Sequence, residues 1–268
     1  MTVTVEQRSQ ARTGEPAVQL SGVTKTFGHG PDAVTALRGV DLTVRPGEFV
    51  CLLGASGCGK STLLNLVAGL DQPTAGEVGL NTSRPSFMFQ EPALLPWLDA
   101  GRNVELPLQL NGVGRSARRE QAKELLELVR LDGQSRKRPH ELSGGMRQRV
   151  ALARALAATT PPDAADPNGT ATSGLLLMDE PFAALDAITR DVLQGELLRV
   201  WQATGTTVLF VTHDVREALR LAQRVVLLSS RPGTVVNEWD VEHAASELHN
   251  LYDEITASLR EVITRHAA

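Results

Sequence analysis

The residues of this chain best suited to chemistry lie in a few short stretches. Gly54-Ala55-Ser56-Gly57-Cys58-Gly59-Lys60-Ser61 fits the pattern G-x-x-x-x-G-K-[ST] at each fixed position. Glycines in such a loop let backbone N–H groups turn inward around phosphates. A helix that follows points its positive end at the same place. Lys60 adds a point charge for β- and γ-phosphates, Ser61 a hydroxyl for Mg²⁺, and Thr62 is the next residue in line. Farther on, Leu175-Leu176-Leu177-Met178 ends in two acids, Asp179 and Glu180. A buried strand delivers such acids to the C-terminal edge of a sheet, where open α/β folds bind ligands. Gln90 after Phe87-Met88-Phe89, and His213 after Val211-Thr212, repeat the arrangement of a polar group at the end of an apolar run.

The elements that position these groups can be read around them. The glycine loop follows an apolar run at 49–53 and opens another at 63–70, giving strand, loop and helix. Apolar alternation at Val18, Leu20, Val23 and at Val40, Leu42, Val44 predicts an antiparallel β region leading into the loop strand. Residues 84–89 read as a further strand. Ala122, Leu125, Leu126 and Val129 lie at helical spacing within a charged helix over 115–131, and 144–158 forms a second helix behind the Ser143-Gly144-Gly145 turn. The fully apolar runs 175–178 and 207–211 suit strands of a buried parallel sheet, with a helix at 189–202 between them. The fold class expected is α/β, a P-loop NTPase with a mainly parallel sheet, an antiparallel β subdomain and a helical subdomain.

Domain organisation follows. Residues 1–17 read as a mobile tail, 18–238 as the nucleotide-binding domain with its helical part at about 91–158, and 239–268 as a C-terminal helix with Leu248, Leu251, Tyr252, Ile255, Leu259 and Val262 on one face. Residues 159–174 are small, polar and proline-rich, a composition that cannot pack a core, and are expected to form a flexible insertion.

Composition narrows the class. With 268 residues and 42% hydrophobic content the chain can bury a substantial core. A net charge of -4 and a pI near 5.9 argue against a nucleic-acid partner. No apolar run approaches the roughly 18 to 20 residues of a membrane span, and 1–16 lacks the apolar centre of a secretion signal. The two cysteines, Cys51 and Cys58, flank the loop, where a disulfide would obstruct it, so a reducing, cytosolic setting is expected. Cys58, close to Lys60 and a helix start, is expected to have a lowered pKa and a reactive thiol, and Cys51 to be buried and inert.

Leu142-Ser143-Gly144-Gly145-Met146 is the signature sequence of ATP-binding cassette proteins, and with the phosphate loop it makes the chain resemble the ATPase subunit of an ABC transporter over about 18–236. The resemblance implies ATP and Mg²⁺ as cofactors. It makes Asp179 the acid that supports Mg²⁺, with Ser61 and Gln90 beside it. Glu180 becomes the general base for the attacking water, and Gln90 and His213 contact that water and the γ-phosphate. Phe27 takes the place of the ring under adenine, where tyrosine is more common. Such subunits pair head to tail, so Ser143, Gly144, Gly145 and Asp186 act across the interface on ATP held by the other copy. Met146 stands where the family more often has glutamine, which the resemblance reads as a subfamily habit.

Finer likeness points to one group. Phe89-Gln90-Glu91-Pro92-Ala93-Leu94-Leu95-Pro96-Trp97, the run 181–190 and Ser229-Ser230-Arg231-Pro232-Gly233 are similar to importer ATPases of the nitrate/sulfonate/taurine group, most of all those of aliphatic sulfonate import. Nitrate, taurine and pyrimidine-precursor systems share most of these features. The resemblance implies a homodimer on the cytoplasmic face of the membrane, two permease subunits, and a periplasmic or lipid-anchored solute-binding protein acting through them. Leu94, Leu95 and Trp97 would line the groove for a permease helix. A single phosphate loop, no long heptad run and an acidic balance disfavour the cassette ATPases of DNA repair and translation, and an exporter ATPase is a further alternative to import.

Overall fold

Apolar runs in this chain become strands, and their alternation decides which side each residue faces. The computed structural model describes residues 15–82, 85–159, 174–242 and 248–267. The expected tail lies outside these residues up to 14, and the expected insertion lies outside them over 160–173. β1 (Val18–Phe27), β2 (Val34–Val44) and β4 (Ala75–Leu80) form an antiparallel sheet in the order β2-β1-β4. β5 (Pro85–Met88), β6 (Leu175–Asp179), β7 (Thr207–Thr212), β3 (Phe49–Leu53), β8 (Arg224–Leu228) and β9 (Val235–Asp240) form the central sheet in that order. Its pairs are parallel except β8 with β9.

Both faces of the central sheet are covered. Cys51 and Leu53 of β3, Leu176 and Met178 of β6, and Val208 and Phe210 of β7 face one apolar cluster. Val50 and Leu52, Leu175 and Leu177, and Leu209 and Val211 face the other. This period of two with apolar residues on both sides is why these runs read as continuous rather than alternating. The second cluster is completed by Leu63, Leu64, Leu66 and Val67 of α1 (Lys60–Val67) and by the inward residues of the antiparallel sheet.

Three helices pack on one another beside the sheet: α2 (Ala100–Leu110), α3 (Arg115–Leu128) and α4 (Gly144–Thr159). α5 (Ala187–Thr204), α6 (Val215–Leu221) and α7 (Leu248–Ala267) follow. Helical spacing does not reveal α2, whose eleven residues include Gly101 and Pro107, both weak helix formers. It forms because Asp99 caps it, accepting from the Arg102 N–H at 2.7 Å, and because Val104 and Leu108 are fully buried. The C-terminal boundary also moves. Residues 239 and 240 complete β9, and α7 begins at Leu248, not after Glu238. Trp239 is buried and its indole N–H donates to Glu254 of α7 at 2.8 Å, which fastens strand to helix.

Candidate functional site

Strand register alone brings the polar ends together. Met88 pairs with Met178, Asp179 with Val211, and Leu53 with Thr212. Gln90 and Glu180 each lie two residues beyond the Met88–Met178 pair, and Gly54 and His213 are each one residue beyond a paired position. All lie at the C-terminal edge of the parallel strands, the edge where open α/β sheets bind ligands.

The loop 54–61 is held in a cradle conformation. Gly59 caps α1 with φ 105°, a left-handed backbone, and a Cβ there would lie 2.9 Å from the Ala36 carbonyl oxygen. Lys60 is buried and its Nζ donates to the Gly54 and Ala55 carbonyls at 2.8 and 2.9 Å. These are the loop's own oxygens, and an anion entering the cradle can take their place. Cys58 corrects the expectation from sequence. It is 1% exposed, and burial pushes its thiol pKa up despite the opposing charge of Lys60. Cys51 is fully buried, and its thiol is also raised, chiefly by burial.

Asp179 accepts from the Ser61 hydroxyl, and burial raises its carboxyl pKa, with the neighbouring charge of Glu180 adding to the shift. Glu180 adopts φ 44°, uncommon for a residue with a side chain, and its N–H is pinned to the Val211 carbonyl at 3.1 Å. Strain of this kind is kept where surrounding structure imposes it, often at functional sites. The Glu180 Oε2 lies 3.0 Å from Nδ1 of His213. A small cavity of about 40 Å³ beside them is lined by Arg190, Thr212, Asp214 and Glu217. Gln90 is exposed two residues beyond β5, which ends at Met88 and not at Phe89 as the apolar run predicts.

The signature residues are placed differently. Ser143 and Gly144 are exposed at the start of α4, and the Ser143 hydroxyl oxygen accepts from the Met146 N–H at 3.3 Å. Gly145 is buried, and a Cβ there would meet Thr189 Cγ2 at 2.7 Å, so its smallness lets α4 approach α5. Asp186 caps α5 by accepting from the Thr189 N–H at 3.0 Å, and this bond holds its carboxyl below the usual range. Phe27, 45% exposed, ends β1 with the Lys25 ammonium 5.0 Å from its ring centroid. It pairs with Val34 of β2, two residues before the Ala36 that touches Gly59.

A second depression of about 360 Å³ lies between β5 and the helical subdomain, lined by Phe87, Leu95, Leu106, Pro107, Leu110 and Arg154 among others. Leu95 borders it, Leu94 packs on the core, and Trp97 stands 68% exposed.

Several groups that shape the site carry no signal in spacing alone. Gln148 of α4, buried, donates from Nε2 to the Pro181 carbonyl just after Glu180. Glu217 is buried on α6 and accepts from Gln194 of α5 at 2.9 Å. A buried Gln or Glu inside an otherwise apolar helix face was the available clue.

Comparison with known proteins agrees with this geometry. The family model described as ABC transporter matches residues 37–164. A taurine import ATP-binding protein, TauB, of Burkholderia pseudomallei is 48% identical over 224 residues, 81% of each chain. An aliphatic sulfonates import ATP-binding protein, SsuB, of Bacillus cereus is 40% identical over 257 residues, 92% of this chain and 96% of the relative. A solved ATP-binding cassette, a dimer in a post-hydrolysis state with ADP and Pi, matches with TM-score 0.69 and 35% identity over 84% of this chain and 98% of that one. A cassette fold, a phosphate loop beside paired acids and this degree of identity together make the chain a member of the ATP-binding subunits of ABC transporters, ATPases coupled to transport.

Proposed function

We propose that this chain binds and hydrolyses ATP to drive an importer for aliphatic sulfonates. The observation that carries the chemical part is the meeting of the loop 54–61, Asp179, Glu180 and His213 at one sheet edge, with Glu180 and His213 in hydrogen-bond contact at 3.0 Å. In this reading the N–H groups of Gly54, Ala55, Ser56, Gly57, Cys58, Gly59, Lys60, Ser61 and Thr62 surround the phosphates, and Lys60 exchanges its carbonyl partners for phosphate oxygens. Glu180 takes the proton of the attacking water, His213 holds Glu180 and meets the γ-phosphate, and Gln90 orients the water. Phosphoryl transfer asks mainly for such positioning and charge.

The oxygen donors of Ser61, Asp179 and Gln90 suit a hard cation. Mg²⁺ bound there supplies positive charge to the phosphate oxygens.

Phe27 stacks on adenine by its exposed face. Ser143, Gly144, Gly145 and Asp186 act across a head-to-tail homodimer on ATP of the other copy. The depression bordered by Leu95 receives a helix from one of two permease subunits, and a solute-binding protein acts through the permease. Among the described residues no helix is long and apolar enough to cross a membrane. The likeness to import ATP-binding proteins supports a peripheral subunit on the cytoplasmic face.

The higher identity to a taurine-import protein favours a second reading within the same chemistry, since taurine is itself a sulfonate. Growth of a deletion strain on an alkanesulfonate, on taurine, or on nitrate as sole sulfur or nitrogen source separates them. Loss of growth on alkanesulfonate, restored by the wild-type gene but not by Lys60→Ala, supports the proposal. Loss on taurine or nitrate alone reassigns the cargo, and restoration by Lys60→Ala overturns the ATP-driven role.

A further inference from the structure

The turn joining β8 to β9 closes on the outside of the phosphate loop. Arg231 is exposed, and its Nε and Nη2 donate to the Gly57 carbonyl at 3.3 and 3.2 Å. Two residues on, Gly233 lies against the next carbonyl, where a Cβ would fall 2.2 Å from the Cys58 oxygen. The turn is anchored on every side. Gly233 donates its N–H to the Ala36 carbonyl at 2.8 Å and accepts from the Arg38 N–H at 3.0 Å. The Ser229 hydroxyl donates to the Pro232 carbonyl at 2.9 Å and accepts from the Thr234 N–H at 2.8 Å. The Ser230 hydroxyl donates to the Val262 carbonyl of α7 at 2.9 Å.

Peptide geometry turns this outer contact into an inner effect. The Gly57–Cys58 peptide is planar, and in the trans form its C=O and N–H point in opposite directions. A guanidinium holding the carbonyl outward therefore holds the Cys58 N–H toward the loop interior. There that N–H donates to the Ala55 carbonyl at 3.3 Å, a long bond that a phosphate oxygen can replace. A cation at the carbonyl end also polarises the peptide and strengthens the N–H as a donor. Gly57 sits at φ 75°, so without the clamp its peptide has more freedom to rotate than that of any other residue type.

We propose that Arg231 is a positioning residue for the nucleotide: it clamps the Gly57 carbonyl from outside the loop and so sets the Cys58 N–H for a phosphate oxygen. The proposal rests on 54–61 being the nucleotide loop.

The test uses the purified full-length chain and MgATP. Arg231→Ala should weaken MgATP binding about tenfold, equivalent to about 1.4 kcal/mol, with kcat at saturation little changed. Arg231→Lys, which keeps the charge but loses the planar fork, should recover part of that affinity. The nucleotide-free melting temperature of both should match the wild type, as expected for an exposed side chain. An unchanged Kd in Arg231→Ala overturns the proposal. So does a weaker Kd that comes with an equal loss of nucleotide-free stability and no recovery in Arg231→Lys. Lys60→Ala separates the two levels. If it binds MgATP like the wild type, the nucleotide-loop reading itself fails; if it loses binding while Arg231→Ala does not, only the role of Arg231 fails.

Discussion

Asp179 carries a charge that its surroundings oppose. Burial, and then the neighbouring charge of Glu180, raise its carboxyl pKa, against the Ser61 hydroxyl and Lys60. The folded pKa thus lies above the unfolded one. Between the two the folded chain binds more protons than the unfolded chain, so stability falls as pH rises through that window. Above it the ionised carboxylate costs stability, and below the ordinary carboxylate range the effect disappears. Asp179→Asn should therefore melt higher than the wild type at neutral pH without nucleotide, with the gain shrinking on acidification. It should also lose the stabilisation that MgATP gives. Melting curves across pH for both proteins check this; a lower melting temperature for Asp179→Asn at neutral pH contradicts it. If Glu180 is the proposed proton acceptor, Glu180→Gln removes it while keeping the shape, and turnover should drop roughly 10²- to 10⁴-fold with MgATP still bound. Near-normal steady-state hydrolysis would remove Glu180 from the role. The cysteines show a residue-scale limit of sequence. Proximity of Cys58 to Lys60 was visible, but its burial was not, and burial has the larger effect. Both thiols should resist a thiol-reactive disulfide in native buffer and react in denaturant; rapid labelling of the native chain would mean the loop opens.

At the scale of elements, the irregular segment that follows Gln90 into the helical subdomain is held by side chains from two helices. Arg154 of α4 donates to the Pro92 and Ala93 carbonyls at 2.8 and 2.7 Å. Asn103 of α2, fully buried, accepts from the Leu95 N–H at 2.9 Å and donates to the carbonyls of Leu95, Leu98 and Asp99 at 3.2, 3.2 and 3.0 Å. Asn103→Ala takes the partner from the Leu95 N–H and the Leu98 carbonyl, at a cost of about 1–3 kcal/mol, while the Leu95 and Asp99 carbonyls keep the N–H groups of Leu98 and residue 103. Amide exchange over residues 91–99 should quicken while β3 and β7 keep their protection, measured by hydrogen exchange; equal loosening of all three would mean a global effect. Neither Asn103 nor α2 was legible, because a helix carrying Gly101 and Pro107 lacks helical propensity and owes its form to a cap and to burial. β9 was missed for a related reason: its central residues are exposed or half-exposed, and only Trp239 is buried. In contrast β3, β6, β7, α3 and α4 stood out, since burial on both faces or helical spacing writes directly into residue type. The phosphate loop, the paired acids and His213 were legible as motifs; that register sets Glu180 and His213 in contact was not, because pairing partners are far apart in the chain.

For the whole molecule, the two sheets meet at Arg224, which links parts of the chain distant in sequence. It opens β8 opposite Val50 of β3, the strand that leads into the phosphate loop. Its Nε and Nη2 hold both oxygens of Glu48 at 2.8 and 3.1 Å, and its Nη1 reaches Glu238 of β9 at 2.6 Å. Nη2 also donates to the Thr43 carbonyl of β2, in the antiparallel sheet. Glu48 is only 9% exposed, and this fork, with the Arg45 N–H at 2.8 Å, supplies the partners of its carboxylate. Removing one partner of a buried pair is costlier than removing both, because the survivor is left charged and unpaired. Arg224→Met should lose roughly 3 kcal/mol, on the order of 8 °C in melting temperature for a chain of this size. The double variant Arg224→Met, Glu48→Leu should lose less than the two single losses added together. High salt should narrow the gap only slightly, since a buried pair is poorly screened. Thermal melts of the four proteins at low and high salt give the coupling directly. Additive losses, or a gap that vanishes in salt, would show that Arg224 acts as a surface charge and that apolar packing alone joins the sheets.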